Sequence, residues 1–422
     1  MAERWVLHCD CNSFYASVEL LTRPELRRKP VAVCGDPASR HGIILAKNEP
    51  AKAMGVKTAE AIWQAKRKCP DLVLLEPHRE RYVHYYKVIN EIYCRFTDRV
   101  EPFSIDESWL DVTGSWQLFA QSPKALADRL RAEVREATGL TISVGASFNK
   151  VFAKLGSDYK KPDATTLITR ENFKDVLWPL PARDMLFVGR SAAEKLAGMG
   201  ISTIGDLAAA DEKALAAALG KLGRTLSRYA RGLDDAPVRL WGEKEPVKSV
   251  GSGRTFPRDL ASAAEVRSAL WALSDEVAAR LRRHGLWAGA VQLTVRDASL
   301  KTITRQTRLP MSTHLGRDLA EAAWRLMQAN WREGQPVRML TVTAQAITEE
   351  PAAVQQSFLE DAPRPDPRRE KLEQSLDAIR GRYGKGAIGA GSILRRDLGL
   401  GRLSMEEKGG EDEDDERAKG PL

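Results

Sequence analysis

The hydrophobic period of this chain changes twice along its length, and no single core accommodates both changes. Up to about residue 168, short β-prone runs alternate with amphipathic helical stretches. RWVLHC at 4–9 reads as a buried strand ending at Asp10. A helical NSFYASVELLTRPEL follows, then strands PVAVCG and GIILA and short helices EPAKAMG and TAEAIWQAKRKC. A longer helix over 79–97 places Tyr82, Tyr86, Ile89 and Tyr93 at three- and four-residue steps. A hairpin at 100–113, a helix at 123–138 and a strand at 141–147 complete this α+β section. From 170 to 235 the pattern is helical, with glycine-marked turns. After APVRLWGEKEPV at 236–247, which reads as a linker, residues 248–347 run β-α-β-β-α-β, with helices at about 261–284 and 315–331. At 422 residues, two to four domains are expected. Beyond 348 come a Pro-broken stretch, DAPRPDPRRE, a short helical pattern with Leu372, Leu376 and Ile379, and an acidic tail whose composition predicts disorder.

The charge is unevenly shared. From Glu406 onward eight acids and three bases carry −5, so the rest of the chain carries +13 against a total of +8. Such a body suits a polyanionic partner. No apolar run reaches the ~18–20 residues of a membrane span, and MAERWVLHCD has no signal-peptide core. Five cysteines (Cys9, Cys11, Cys34, Cys69 and Cys94), without a CxxC or HxxxH pair beside them, read as reduced thiols in a reducing cytosol, with no disulfide framework; a cytoplasmic monomer is the expectation.

The stretch VEPFSIDESWLDVTG at 100–114 sets Asp106 beside Glu107 in a mostly apolar surrounding. Two readings stay open on the residues alone. The pair is a solvated hairpin tip, or it lies in a half-buried turn where like charges repel and desolvate badly unless a cation joins them. Asp10, at the end of another strand, is then a natural third ligand. Three carboxylates with open positions suit Mg²⁺, and two such ions suit the activation of a 3′-hydroxyl and the departure of pyrophosphate. Asp111 reads as structural.

VLHCDCNSFYASVE and FSIDESWLDVTG together resemble the metal-binding motifs of Y-family translesion DNA polymerases, closest to the DNA polymerase IV branch, and ASFNKVFAKLGSDYKKPDATT resembles that family's third palm motif. The resemblance runs in order over about 4–348. It implies a ferredoxin-like palm (1–10 and 79–168), small fingers (11–78), a helical thumb with a helix-hairpin-helix (169–235), the linker, a βαββαβ little finger (248–348) and a C-terminal extension (349–422). It implies Asp10, Asp106 and Glu107 as ligands of two Mg²⁺ ions, with Cys11 lending its backbone carbonyl. Tyr15 falls at the steric gate under the incoming sugar, with Phe14 lining the same pocket. Lys161 matches the palm lysine that reaches the triphosphate. The implied partners are primer–template DNA and dNTPs.

Two departures stand out. Asn12 occupies a position where many relatives have a second Asp. Glu49 and Lys52 stand where many have Tyr and Arg, and Lys52 offers charge without the bidentate fork of Arg. FVGRSAAEKLAGMG resembles the helix-hairpin-helix, where Gly189 leaves room for a DNA phosphate at a helix N-terminus. Lys248, Arg254, Lys301, Arg305 and Arg308 lie on faces or edges of the last domain beside Thr and Ser, suited to a duplex backbone or to ordinary solvation. In VQQSFLE at 354–360, Gln355, Phe358 and Leu359 approximate a sliding-clamp peptide, or form a linker whose Phe358 packs on its own domain. A catalytically silent DNA-binding or clamp-recruited scaffold and a palm-domain nucleotide cyclase are the competing functions.

Overall fold

The structure, a computed structural model, describes residues 3–37, 42–351 and 367–389. These fall into two compact units, which part between Glu243 and Lys244.

The first unit contains, in order, β1 (Val6–Cys11), α1 (Phe14–Leu21), β2 (Val31–Cys34), β3 (Ile44–Lys47), α2 (Glu49–Ala53), α3 (Ile62–Lys68), β4 (Val73–Leu75), α4 (Arg79–Cys94), β5 (Val100–Pro102), β6 (Glu107–Asp111), α5 (Trp116–Phe119), α6 (Pro123–Thr138), β7 (Ile142–Ser147), α7 (Lys150–Tyr159) and β8 (Thr165–Ile168). Five helices follow: α8 (Phe173–Leu177), α9 (Arg190–Gly198), α10 (Ile204–Ala209), α11 (Glu212–Leu219) and α12 (Lys221–Ala230).

The main sheet has the order β5-β6-β1-β7-β8, so β1 lies at its centre. Every residue of β1 is buried, because both sheet faces are covered. Leu7, Cys9 and Cys11 point into an apolar layer with Tyr82, Ile89 and Tyr93 of α4 and Leu126, Leu130 and Val134 of α6. His8 and Asp10 alternate onto the other face, where α7 lies. Helix α6 starts and stops on local signals: Ser122 caps it, accepting from Ala125 N at 3.1 Å, Pro123 opens it, and Gly139 ends it at φ 73°. A smaller sheet, β3-β2-β4, occupies the stretch expected as fingers.

Two glycines bring α7 onto the sheet. A Cβ on Gly145 of β7 would collide with the Ala153 carbonyl and the Ser157 amide, and one on Gly156 would lie 3.1 Å from Gly145 Cα. Only the bare backbone permits this approach, and it sets the reach of every polar side chain on α7.

The expected linker divides. Val238 is 1% exposed and packs with Val6, Trp109 and Ala153. Arg4 and Arg99 donate to the carbonyls of Ala236 and Val238, Arg239 N donates to Glu101, and Trp241 N donates to the Asp98 carbonyl at 2.9 Å. Residues 236–241 are thus part of the first unit. Composition suggested a free connector because its anchors lie far away in sequence.

The second unit comprises β9 (Ser249–Leu260), α13 (Ala263–Arg283), β10 (Trp287–Asp297), β11 (Thr302–Thr313), α14 (Gly316–Asn330), β12 (Val337–Thr348) and α15 (Pro367–Tyr383). Its antiparallel sheet, β11-β10-β12-β9, carries α13 and α14 on one face around one core. Helix α15 docks through its acids rather than through the expected leucines. Glu373 accepts from Gly316 N at 3.0 Å and pairs with Arg282, Asp377 takes Arg282 at 2.7 Å, and Arg380 pairs with Asp275 at 2.8 Å, while Leu372 is exposed. The expected acidic tail lies outside the described residues. No helix among the described residues is long and apolar enough to cross a membrane.

Candidate active site

The β1–β6 register brings the acids together. Asp10 and Glu107 are Cα partners across the antiparallel pair, and the amide of Cys11 donates to the Asp106 carbonyl at 2.9 Å. Partners in register share a face, so both side chains meet α7. Asp106 stands in the turn before β6, where the Ser104 hydroxyl donates to it at 2.5 Å.

Two lysines enter the same space. Lys154, in the middle of α7, places its Nζ 2.9 Å from Glu107, 3.3 Å from Asp10 and 3.4 Å from Asp158. Lys161, just past the helix, lies 2.7 Å from Asp10 and 2.8 Å from Asp158. The hairpin pair is therefore no solvated tip. Its acids sit in a half-buried charge network. Sequence reasoning found Lys161 and missed Lys154, although Lys154, Asp158 and Lys161 stand at i, i+4 and i+7.

The environment separates the carboxyls. Burial, with the neighbouring Glu107 adding to it against the two lysines, pushes Asp10 up to about 7. Burial also raises Asp106, against the Ser104 hydrogen bond. Burial acts on Glu107 in the same direction, but the contacts with His8 and Lys154 prevail and hold it well below the usual carboxylate range. His8 is fully buried beneath this pair. Its Nδ1 meets the Ser157 hydroxyl at 2.8 Å, and burial lowers it to about 4, so the ring is neutral at pH 7. The Ser157 hydroxyl donates onward to the Lys154 carbonyl at 2.8 Å.

The donor set fits a hard divalent cation. Its members are carboxylate oxygens, and the buried Oε2 of Glu107 already faces a cation, the Lys154 ammonium at 2.9 Å. The side chains are not preset as a cage: no group of three His, Cys, Asp or Glu among the described residues converges at metal-binding distance. The strands that carry Asp10 and Glu107 lie side by side, while lysine ammonium groups compensate the charges. Asn12 is occupied structurally, donating to Thr141 at 3.0 Å and accepting from Ser143 at 2.8 Å.

Tyr15, on the first turn of α1, stacks on Tyr82 of α4 with centroids 4.0 Å apart and 8° between planes. Phe14 is 3% exposed within the apolar layer, its ring 6.2 Å from that of Tyr82. It can support Tyr15 but has almost no surface to offer a sugar, contrary to the expectation that it lines the pocket. Lys52 is exposed on α2 and pairs with Glu49 at 3.6 Å, so the two residues that depart from the family pattern answer each other's charge. Asp111 is structural, accepting from Thr113 N at 3.0 Å and pairing with Arg4 at 3.4 Å.

The basic residues expected to meet DNA are not all alike. Gly189 caps α9 at φ −77°, exposed and with open space around its Cα. In the second unit the register sorts the set. Arg308 pairs with Ala290 and Arg254 with Leu340, whereas Arg305 pairs with Leu293 and bonds Asn330 of α14 at 2.9 Å. Leu293 and Leu340 belong to the core beneath the helices, so Arg254 and Arg305 lie on the helix side of the sheet. Arg308 lies on the open face, with Arg296, which sequence reasoning passed over. Lys248 and Lys301 stand at strand ends. The open face is otherwise lined by Thr341, Thr343, Gln292 and Gln306 and by Gly251 and Gly253, whose missing side chains keep it flat.

An acid pair on adjacent central strands, lysines beside it, a helical section and a further sheet domain define a polymerase of the palm class. Residues 9–158 match the impB/mucB/samB family, residues 247–358 that family's C-terminal domain, and residues 184–234 the DNA polymerase-iota thumb domain. The chain is 44% identical over 404 residues to DNA polymerase IV of Acetivibrio thermocellus, covering 95% of this chain and all of that one. It is 38% identical to DNA polymerase IV 1 of Bacillus subtilis, covering 93% and 94%. Its fold is similar to that of the Y-family DNA polymerase chimera Dbh-Dpo4(243-245)-Dbh, with a TM-score of 0.71 and 22% identity over 81% of this chain and 99% of that one. The chain belongs to the Y-family DNA polymerases, in the branch of DNA polymerase IV.

Proposed function

We propose that this chain is a template-directed DNA polymerase of the translesion type, adding dNTPs to a primer 3′ end by two-metal-ion nucleotidyl transfer. The observation that carries the reading is the facing of Asp10 and Glu107 across β1 and β6, with Asp106 pinned beside them and Lys161 within reach. Asp10, Asp106 and Glu107, with the Cys11 carbonyl, would hold two Mg²⁺ ions. Ions held there would supply Lewis acidity to the primer 3′-hydroxyl and charge neutralisation to the departing pyrophosphate.

The remaining roles belong to side chains. Lys161 is a quarter exposed and can exchange its hold on Asp10 for triphosphate oxygens, where its charge favours the leaving group. Lys52 offers a second, more solvated charge. Tyr15 places a ring where a ribose 2′-hydroxyl would have to sit. Gly189 with the start of α9, the open-face Arg308, and Lys248 and Lys301 at the strand ends are suited to the phosphate backbone of primer–template DNA, without base reading. Arg254 and Arg305 are suited to edge contacts at most.

The test is primer extension on a primed template with Mg²⁺ and dNTPs. Template-directed extension is expected. A scaffold or a cyclase would bind or cyclise without extending. The segment 354–360, with Gln355, Phe358 and Leu359, lies outside the described residues. Its proposed role in binding a sliding clamp rests on residue types alone. If Phe358→Ala with Leu359→Ala leaves clamp stimulation unchanged, the segment is a linker.

A further inference from the structure

Glu19 carries a charge that the reaction does not use, in a place where charges are costly. It is wholly buried, yet its carboxylate is surrounded by donors from the first turn of α4. His78 Nδ1 lies 3.0 Å away, the His78 amide 3.2 Å, Arg81 Nη1 3.2 Å and the Tyr82 hydroxyl 2.7 Å. The start of a helix and a guanidinium answer its charge together. The Tyr82 hydroxyl is held twice, since it also accepts from the His78 amide at 3.1 Å. Burial, and then the bond to Glu19, raises that hydroxyl well above the ordinary tyrosine value, so it stays a donor.

Glu19 is four residues beyond Tyr15 on α1, so the two share one helix face. Tyr82 is therefore gripped by α1 at two points: its ring lies flat against Tyr15 and its hydroxyl is tied to Glu19. A gate discriminates only if its ring cannot tilt. With Tyr82 fixed at the far end, tilting Tyr15 would break the stack instead of carrying Tyr82 along.

We infer that Glu19 is a positioning residue for sugar selection, holding Tyr82 by its hydroxyl as the rigid back of the Tyr15 ring. The inference rests on the reading of Tyr15 as the gate. Neither Glu19 nor Tyr82 touches the nucleotide in this scheme.

The experiment measures kcat and KM for a dNTP and the matching rNTP in the full-length chain and four variants, with thermal midpoints alongside. Tyr82→Phe removes one oxygen and keeps the ring, and it leaves Glu19 its contacts with His78 and Arg81. It should lower the dNTP-over-rNTP preference about three- to tenfold, the worth of one buried hydrogen bond, with the change carried by the rNTP. Glu19→Gln keeps an acceptor for the hydroxyl and should hold the preference within about twofold of the parent. Tyr15→Ala should lower the preference most, and adding Tyr82→Phe to it should lower it no further. A lowered thermal midpoint in Tyr82→Phe with unchanged preference would make Glu19 a purely structural anchor and overturn the inference. An unchanged preference in Tyr15→Ala would remove the gate itself, a separate failure that takes this inference with it.

Discussion

Asp10 and Glu107, 97 positions apart in the chain, are Cα partners across the central strand pair, and Lys154 from the overlying helix reaches both, at 3.3 and 2.9 Å. The strands fix where the carboxylates start, and α7 supplies the cation that makes their proximity tolerable. The site is therefore as much a product of helix-on-sheet packing as of the acidic motif.

Glu107→Gln keeps the size of the side chain and removes its charge. Primer extension should fall by about a hundred- to a thousandfold or more, as when a transition-state stabilising group is lost. Affinity for primer–template DNA, measured by fluorescence anisotropy, should stay close to that of the parent. Extension at the parental rate would sink the assignment of Glu107 to the metal.

Lys154→Met leaves Asp10 and Glu107 facing each other with only Lys161 and His8 nearby. The variant should lose about 1–3 kcal/mol of stability without divalent ions, the cost of leaving a mostly buried charged group unsatisfied. Added Mg²⁺ should restore more of its thermal midpoint than it adds to the parent. Equal Mg²⁺ responses in the two proteins would show that Lys154 does not balance these acids.

Gly145→Ala tests the close approach of α7. The added methyl meets backbone atoms of Ala153 and Ser157, which cannot rotate away. Destabilisation of about 1–3 kcal/mol or more is expected from overpacking. Extension should be impaired even in the folded fraction, because Lys154 and His8 depend on the same contact. A variant with parental stability and activity would mean that α7 can shift freely.

The second unit offers a pH test. The Arg258 guanidinium, 2.5 Å from Glu265, outweighs burial and, together with the Ser262 amide, holds this carboxyl down at about 2, from 4.5. A depressed acid stabilises the fold above its unfolded value and loses that contribution as pH falls through the folded one. Stability from this pair should therefore fade between about pH 4.5 and 2. Its size stays below about 1 kcal/mol, because Arg258 is more than half exposed. Amide protection factors over residues 262–266, with the intrinsic exchange rate at each pH divided out, should fall over that window in the parent and change less in Glu265→Gln.

The sequence by itself determined many of the strands and helices of both units, because those elements carry their own period and their own stops, whereas β4, α5, α7 and β8 were not marked by it. Ser122, Pro123 and Gly139 delimit α6 without help from the rest of the chain. It also marked the candidate acids, Tyr15 and Lys161, which sit in motifs of fixed spacing. The tertiary structure decided what surrounds them. Nothing local marks Lys154 as the partner of Glu107 or Glu19 as the anchor of Tyr82, since each contact spans dozens of residues and depends on how closely two backbones approach. The same holds for the arginines of the last sheet. A spacing of three puts Arg305 and Arg308 on opposite faces of a strand, but only the packing of α13 and α14 settles which face stays open. Alternation is a local property of the backbone, whereas burial is a property of what the rest of the chain lays against it.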